Sequence, residues 1–456
     1  MELPAAFWSQ LSFLPQSEQV ALRESLESSS PTAIRVNTSK WGIPDLDPVP
    51  WSESGFYLPT RPSFTGDPLF HAGAYYVQEP SSMMIGSVAK AALKEMPEGA
   101  MILDLCAAPG GKSTDLASVK RSGDTLVSNE VIGSRVRVLK ENVIKWGGSR
   151  HLISNNDPAD FDRLEGMFDL MVVDAPCSGE GLFRKDANAV NEWSPKAVEF
   201  CQQRQIRILE DAWSALKAGG VLIYSTCTMN EKENEEVLSQ IINHYEVEPF
   251  QLPMRPEWSV WLTKVGDFTV HRMLPHRTHG EGFSFFVLRK LEGESEFNWP
   301  RRKKKKGKSR PTSSIDLDEK FDVADGQWFM DEDRVVFFPD SELLEVLIAR
   351  LRLVRKGTLL GTLKRDKVIP SHELAMATDR SLEGWPRYEL DYEESIRYLQ
   401  KIDITIDGGS RGFGLVTYRG VPLGWVNHLG NRVNNLYPSE FRILSQQATY
   451  REEGIL

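Results

Sequence analysis

The sequence predicts an α/β protein built on a doubly wound sheet. Three observations point there. From about residue 100, short β-rich apolar runs alternate with amphipathic helical patterns. The runs are apolar throughout, as befits parallel strands buried on both faces. The stretches just after them are polar and rich in glycine, the place where such sheets bind ligands.

The elements follow in order. Met101-Ile102-Leu103-Asp104-Leu105, Thr125-Leu126-Val127-Ser128, Asp169-Leu170-Met171-Val172-Val173 and Val221-Leu222-Ile223-Tyr224 read as buried strands, with a further strand ahead of Asn155. A helix starts at Ser194-Pro195, a cap followed by proline at the first helical position, and places Val198, Cys201, Ile208, Ala212, Trp213 and Leu216 on one face. Gly219-Gly220 is expected to end it. Asn230 with Glu233 three residues later resembles a capping box before the apolar stripe of Val237, Leu238, Ile241 and Ile242. Residues 282–288 read as a late strand that closes the domain near residue 290.

Flanking regions differ in composition. Residues 1–75 are rich in proline and aromatics, with a strand at Ala33-Ile34-Arg35-Val36-Asn37, and read as a small α+β extension. The core domain takes residues 76–290. Residues 291–315 contain the run Arg301 to Arg310, which self-repels, lacks apolar periodicity and is expected to be a disordered basic linker. It is either a solvated tether or a nonspecific grip on phosphate. Residues 316–390 form a first accessory domain with a strand at 334–338. Residues 391–456 form a second, with a strand expected at Ile402-Asp403-Ile404-Thr405-Ile406 and a hairpin-rich small barrel across 413–425.

Composition narrows the class. With 456 residues, the chain exceeds what one core organises; 41% apolar and 26% charged residues fit a soluble globular protein. Met1-Glu2-Leu3-Pro4 lacks a signal layout, and no stretch approaches the roughly 20 apolar residues of a membrane span. Four cysteines with no Cys-x-x-Cys pair argue against a disulfide framework and a four-thiolate zinc site, and a cytoplasmic location fits. The net charge of -10 does not exclude a nucleic-acid partner, because a binding face feels charge only within a Debye length of about 8 Å.

Candidate site residues sit at the strand ends. The first strand runs into Cys106-Ala107-Ala108-Pro109-Gly110-Gly111-Lys112, where small residues let a cofactor approach the backbone. Gly111-Lys112-Ser113 invites a P-loop reading, but the glycine that motif needs five positions earlier is Cys106. Glu130 follows the second strand, about 20 residues after the glycine turn, where an acid accepts hydrogen bonds from a ribose diol. Asp157 follows the third, either as an acceptor for an adenine amino group or as a turn former. Asp174 and Cys177 follow the fourth strand and Cys227 follows the fifth, so both thiols face one cleft and suit covalent chemistry. Cys201 reads as an inert packing thiol, and Cys106 contributes its backbone rather than its sulfur.

These motifs resemble a known family. Residues 104–112, Asp174-Ala175-Pro176-Cys177-Ser178-Gly179 and Ser225-Thr226-Cys227-Thr228 are similar to the signature motifs of the NOP2/Sun RNA cytosine-5 methyltransferases, as is Tyr76-Val77-Gln78-Glu79-Pro80-Ser81-Ser82 upstream. Gly179-Glu180-Gly181 with Arg184-Lys185-Asp186 resembles the RsmF branch, which methylates 16S ribosomal RNA, and Leu423-Gly424 with Asn435-Leu436-Tyr437-Pro438 resembles its PUA-like C-terminal domain.

The resemblance implies a class I Rossmann-like core that uses S-adenosylmethionine, flanked by RNA-binding modules at 1–75 and 391–456. Cys106 to Lys112 would lie beside the cofactor's amino-acid portion, Glu130 on the ribose and Asp157 on adenine, with Asp174 also at the cofactor. Arg135 either orients Glu130 or is a surface arginine. Cys227 is implied as the nucleophile at C6 of cytosine, which makes C5 enamine-like. Asp174 would hydrogen-bond the pyrimidine edge and assist protonation at N3. Cys177 would remove the C5 proton for release, and Lys112 would keep Asp174 and the thiols correctly charged. No metal is implied. The expected partner is ribosomal RNA or the small ribosomal subunit, bound by a monomer. Transfer RNA is the alternative substrate, and a noncatalytic assembly factor the alternative class; the latter lacks a catalytic motif, whereas none is missing here. DNA cytosine-5 methylation fits less well, since there the nucleophile is the cysteine of the Pro-Cys motif after strand four.

Overall fold

The computed structural model describes residues 3–300, 321, 327–365, 367–444 and 454–456. The basic run at 301–310, and with it most of the expected linker, lies outside the described residues. The core is a ten-stranded mixed sheet. Its strands are β1 (Met101–Asp104), β2 (Thr125–Asn129), β3 (His151–Ser154), β4 (Phe168–Asp174), β5 (Leu216–Thr226), β6 (Trp261–Val265), β7 (Phe268–Met273), β8 (Phe283–Lys290) and β9 (Leu353–Arg355), in the order β6-β7-β8-β5-β4-β1-β2-β3-β9, while Val247–Pro249 pairs with β8 off this path. Strands β3, β2, β1, β4 and β5 run parallel. β8 enters antiparallel beside β5. The strand order reverses between β1 and β4, and ligands of a doubly wound sheet bind outside that switch point.

The apolar runs form strands because both faces are covered. Ile102, Leu103, Leu126, Val127, Leu170, Val172, Leu222 and Ile223 are buried, with helices Gly111–Val119, Gly133–Trp146 and Pro195–Ala212 packed against the sheet. Ser194 caps the last of these by accepting the Ala197 N–H, and Pro195 takes the first helical position. That helix ends at Ala212, earlier than the glycines implied. Trp213–Ala215 forms a tight turn, and Gly219-Gly220 lies inside β5, where the register with β4 slips between Phe168 and Leu170. The glycines therefore serve a bulge rather than a helix stop.

At the N-terminus, Thr32–Val36 pairs with Gly55–Leu58 and Tyr75–Val77 in a three-stranded sheet. Arg35 leaves this sheet fully buried and reaches the core domain, donating to Gln78 Oε1 at 2.8 Å, Thr114 Oγ1 at 2.5 Å and Gly111 O at 3.2 Å, with Asp115 Oδ1 3.6 Å away. On the C-terminal side, Trp328–Asp331, Arg334–Phe337, Thr358–Lys364 and Lys367–Pro370 make one four-stranded sheet, and Arg387–Glu389, Gly412–Tyr418, Val421–His428 and Val433–Asn435 make another. The hairpin in the second turns through Arg419 and Gly420, with φ of 48° and 78°, the left-handed pair that a two-residue hairpin loop demands. Residues 402–406 form no strand. Their alternation buries Ile404 in the same core, while Arg397 donates to Asp403 O and Asn435 to Ile402 O, so no backbone ladder is made. Among the described residues no helix is long and apolar enough to cross a membrane.

Candidate active site

The carboxyl ends of β1, β2, β4 and β5 carry the candidate residues to one place. β1 ends at Asp104 and turns through Cys106 to Gly111, where the helix Gly111–Val119 begins. Gly110 has φ of 115°, a left-handed conformation that favours glycine, and its carbonyl accepts the Thr114 N–H at 2.9 Å. Ala107 and Ala108 are buried, and the Ala107 N–H donates to Asn129 O, which ties this turn to the end of β2.

Glu130, one residue past β2, is 3% exposed; its Oε1 accepts the Ile132 N–H and its Oε2 lies 3.4 Å from Arg135 Nη1. Arg135 also donates to Ala108 O at 2.6 Å, so it joins the acid to the glycine turn as well as facing solvent. Asp157 is exposed and accepts the Ala159 N–H at 3.2 Å, so it does form a turn, yet it also lines the cavity described next. A cavity of ≈ 300 Å³ is bounded by Cys106, Ala108, Glu130, Arg135, Asp157, Asp174, Cys177 and Cys227 among others. Beside it, one of ≈ 200 Å³ is walled by Tyr76, Gln78, Ala107, Pro109, Gly111, Lys112 and Asp174.

Asp174 ends β4 and is 32% exposed at its side chain; its Oδ2 lies 2.8 Å from Lys112 Nζ and its Oδ1 accepts Ser225 Oγ at 3.0 Å. The pKa of Lys112 is raised: burial pulls it down, but the carboxylate of Asp174 outweighs that, so the ammonium persists. Its Nζ also lies 5.0 Å from the centre of the Phe283 ring. Cys177 Sγ and Cys227 Sγ are 2.8 Å apart. The Cys177 thiol is pushed well up, first by its hydrogen bond with Cys227 and then by burial. Burial also raises Cys106 strongly and Cys201 to about 11, which fits inert thiols at both positions.

Every expected site residue therefore borders this region: Cys106, Glu130, Arg135, Asp157, Asp174, Cys177 and Cys227 on one cavity, Lys112 and the rest of the turn at or beside the other. Sequence reasoning missed the residues that hold it together. Asn230 Oδ1 accepts the Glu233 N–H at 2.8 Å, half of a capping box, but the Glu233 carboxylate does not return to Asn230 N. It accepts Ser178 N and Oγ and Gln205 Nε2 instead, and the helix starts later, at Glu235. Glu180, read only as part of Gly179-Glu180-Gly181, is 1% exposed and accepts four donors. Only a polar residue set among motif glycines hinted at it.

Comparison with known proteins identifies the family. Residues 91–289 match the family model described as 16S rRNA methyltransferase RsmB/F. Residues 3–80 match the N-terminal domain of 16S rRNA methyltransferase RsmF, 316–378 the RsmF rRNA methyltransferase first C-terminal domain, and 386–443 the methyltransferase RsmF PUA domain. The ribosomal RNA small subunit methyltransferase F of Shewanella loihica is 34% identical over 90% of this chain and 88% of its own length. That of Aliivibrio fischeri strain MJ11 is 33% identical over 90% of each. A solved methyltransferase homologue from Pyrococcus horikoshii is 28% identical with a TM-score of 0.53, covering 63% of this chain and 94% of that one. With relatives of this identity matched over nine-tenths of its length, and RsmF models on both sides of the core, the chain belongs to the 16S rRNA methyltransferase RsmB/F family, on its RsmF branch.

Proposed function

We propose that this protein transfers a methyl group from S-adenosylmethionine to C5 of a cytosine in 16S ribosomal RNA, through a covalent bond between Cys227 and C6. The observation that carries the reading is the contact of the Cys177 and Cys227 thiols at 2.8 Å on the wall of the cavity that Glu130 and Asp157 also line.

The residues present fit the cofactor. A buried carboxylate follows the second strand, a left-handed glycine opens the helix after the first, and the cavity beside them is of ligand size and reaches the thiols. Glu130 would accept the ribose hydroxyls, Asp157 the adenine amino group, and the backbone from Cys106 to Lys112, with Asp174, would flank the amino-acid portion. When bound, S-adenosylmethionine supplies the electrophilic methyl group.

Cys227, its thiol proton released to water, attacks C6 as the thiolate and turns C5 into an enamine-like nucleophile. Asp174, with Lys112 beside it, hydrogen-bonds the pyrimidine edge and supports the proton at N3 as charge builds there. Cys177 holds its proton while the Cys227 sulfur stands next to it. Bonding of Cys227 to C6 takes away the first of the causes that hold this proton, although burial still opposes its loss; Cys177, once its proton has passed to water, takes the proton from C5. Elimination of Cys227 completes the cycle. The base must leave any helix to meet the thiol, and the modules at 1–75 and 391–456 are suited to hold the surrounding RNA in the cytoplasm, where ribosomal subunits are made.

Bisulfite sequencing of ribosomal and transfer RNA from cells with and without the protein tests this. Loss of one 5-methylcytosine from 16S ribosomal RNA is expected; unchanged ribosomal RNA with a lost transfer-RNA mark would overturn the choice of substrate.

A further inference from the structure

Two buried carboxylates with no part in this chemistry lie between the cysteine loops. Glu180, three residues after Cys177, accepts the N–H of Met229, two residues after Cys227, on its Oε2 at 2.7 Å. Glu233, on the Cys227 side, accepts the N–H of Ser178, next to Cys177, on its Oε2 at 3.0 Å, and its Oε1 accepts Ser178 Oγ. Each loop lends a carboxylate to the other. Asn230 joins the two, its Nδ2 donating to Glu180 Oε1 at 2.9 Å and to Glu233 Oε1 at 3.0 Å, and the Gly181 N–H donates to Cys227 O at 2.8 Å.

Glu233 is 0% and Glu180 1% exposed, and neither has an ion-pair partner among the described residues. Burial raises both carboxyl pKa values and the hydrogen bonds oppose it. Every partner of Glu180 is an N–H donor, which suits the ionised form; a proton on it would face donors only. Such a pair costs desolvation that apolar packing would avoid, so stability alone is a poor reason for it. Glu180 also extends outward: its Oε1 accepts Gln10 Nε2 at 2.5 Å, from the helix Ala5–Gln10, and Trp193 Nε1 at 3.2 Å. Phe7 of that helix packs edge-on to Phe183 and Trp193 at 5.4 and 5.8 Å.

We propose that Glu180 and Glu233 are positioning residues, forming a reciprocal clasp that keeps the Cys177 and Cys227 thiols in contact, and that Glu180 ties the N-terminal helix to both catalytic loops. The clasp rests on the two-thiol reading above and states how that pair is kept in register.

The test uses the full chain with Glu180→Gln, Glu233→Gln and Gln10→Ala. An amide of nearly the same volume sets N–H groups against N–H donors and opens the clasp. Two readouts are taken: kcat and KM for RNA, and the rate at which diamide, a diazene that accepts both thiol hydrogens, closes a Cys177–Cys227 disulfide, followed by peptide mapping. The glutamine variants are expected to lose about 10²-fold in kcat, the scale for a small misplacement of reacting groups. Their KM should change by less than about 3-fold, and disulfide closure should slow by about 10-fold. The double variant should be no worse than the poorer single one, since the pair acts as a unit. If the glutamine variants do not fold, Gln10→Ala carries the test, with a smaller loss in both readouts. Folded variants with unchanged kcat and unchanged closure overturn the clasp. So does a loss of kcat that follows the melting temperature while closure is unchanged. Methylation by Cys227→Ala would overturn the two-thiol reading instead, and closure rates in the cysteine-intact variants would still judge the clasp.

Discussion

Lys112 Nζ and Asp174 Oδ2 meet at 2.8 Å across the switch point of the sheet, one from the first turn of the helix Gly111–Val119 and the other from the end of β4. In the proposed reaction this contact joins the cofactor side of the site to the base side. Lys112 is 14% exposed at its side chain and Asp174 32%, so the pair is screened by water in part only.

Lys112→Met removes the only ion-pair partner of Asp174 among the described residues. Single-turnover methyl transfer should fall about 10²-fold, within the range for a misplaced or wrongly charged general acid. Asp174→Asn should fall at least as far. A Lys112→Met rate equal to wild type would show that the contact is not used.

Glu130→Ala should weaken cofactor binding. A carboxylate accepting hydrogen bonds from a diol contributes about 1.5–3 kcal/mol, so calorimetry should show Kd raised by roughly ten- to a hundred-fold. The rate at saturating cofactor should change little, because the proposed role of Glu130 is to hold the cofactor and no hydrogen bond or ion pair links it to Cys177 or Cys227 among the described residues.

Arg35→Ala should destabilise the whole chain. It leaves Asp115 buried at 3% exposure without its cation and strips donors from Gln78, Thr114 and Gly111 O. Breaking a buried pair in this way costs about 3–5 kcal/mol, which a denaturant titration detects. The turn after β1 should loosen with it, so cofactor affinity should fall too.

Asp104 predicts a pH dependence of stability. It is fully buried, its Oδ2 accepts Ser113 Oγ at 2.5 Å, its Oδ1 has no partner, and burial pushes its pKa from 3.8 up to about 7. The folded chain therefore binds a proton that the unfolded chain has released. The stabilisation by this group is complete below pH 3.8 and is lost as pH rises through about 7. Asp104→Asn cannot ionise, so its melting temperature should gain on that of wild type between pH 5 and pH 8, as differential scanning calorimetry would show; parallel curves would contradict the assignment.

Strand positions were legible because both-face burial writes itself as apolar runs, and Met101–Asp104 and Phe168–Asp174 carry almost no polar interruption. The candidate site was legible for a related reason: in this topology the residue after each strand is where a ligand meets the chain, so Glu130, Asp174 and Cys227 could be placed from order alone. Where local signals misled, tertiary pairing prevailed. Gly219-Gly220 has the look of a helix stop, but the neighbouring β4 draws it into a bulged strand. Ile402 to Ile406 alternates like a strand, yet finds no partner edge, and Ile404 is buried without one. Asn230 and Glu233 have capping-box spacing, and only the approach of Ser178 from 55 residues away shows what the carboxylate holds. Contacts of that kind have no local trace.

The most direct test of the two-thiol cycle is the species that accumulates on Cys177→Ala. Incubated with substrate RNA and S-adenosylmethionine, this variant should attack and methylate but fail to release, giving a protein–RNA adduct that survives a denaturing gel and maps by mass spectrometry to the peptide containing Cys227. Normal turnover without any adduct, or an adduct on a peptide lacking Cys227, would contradict the account.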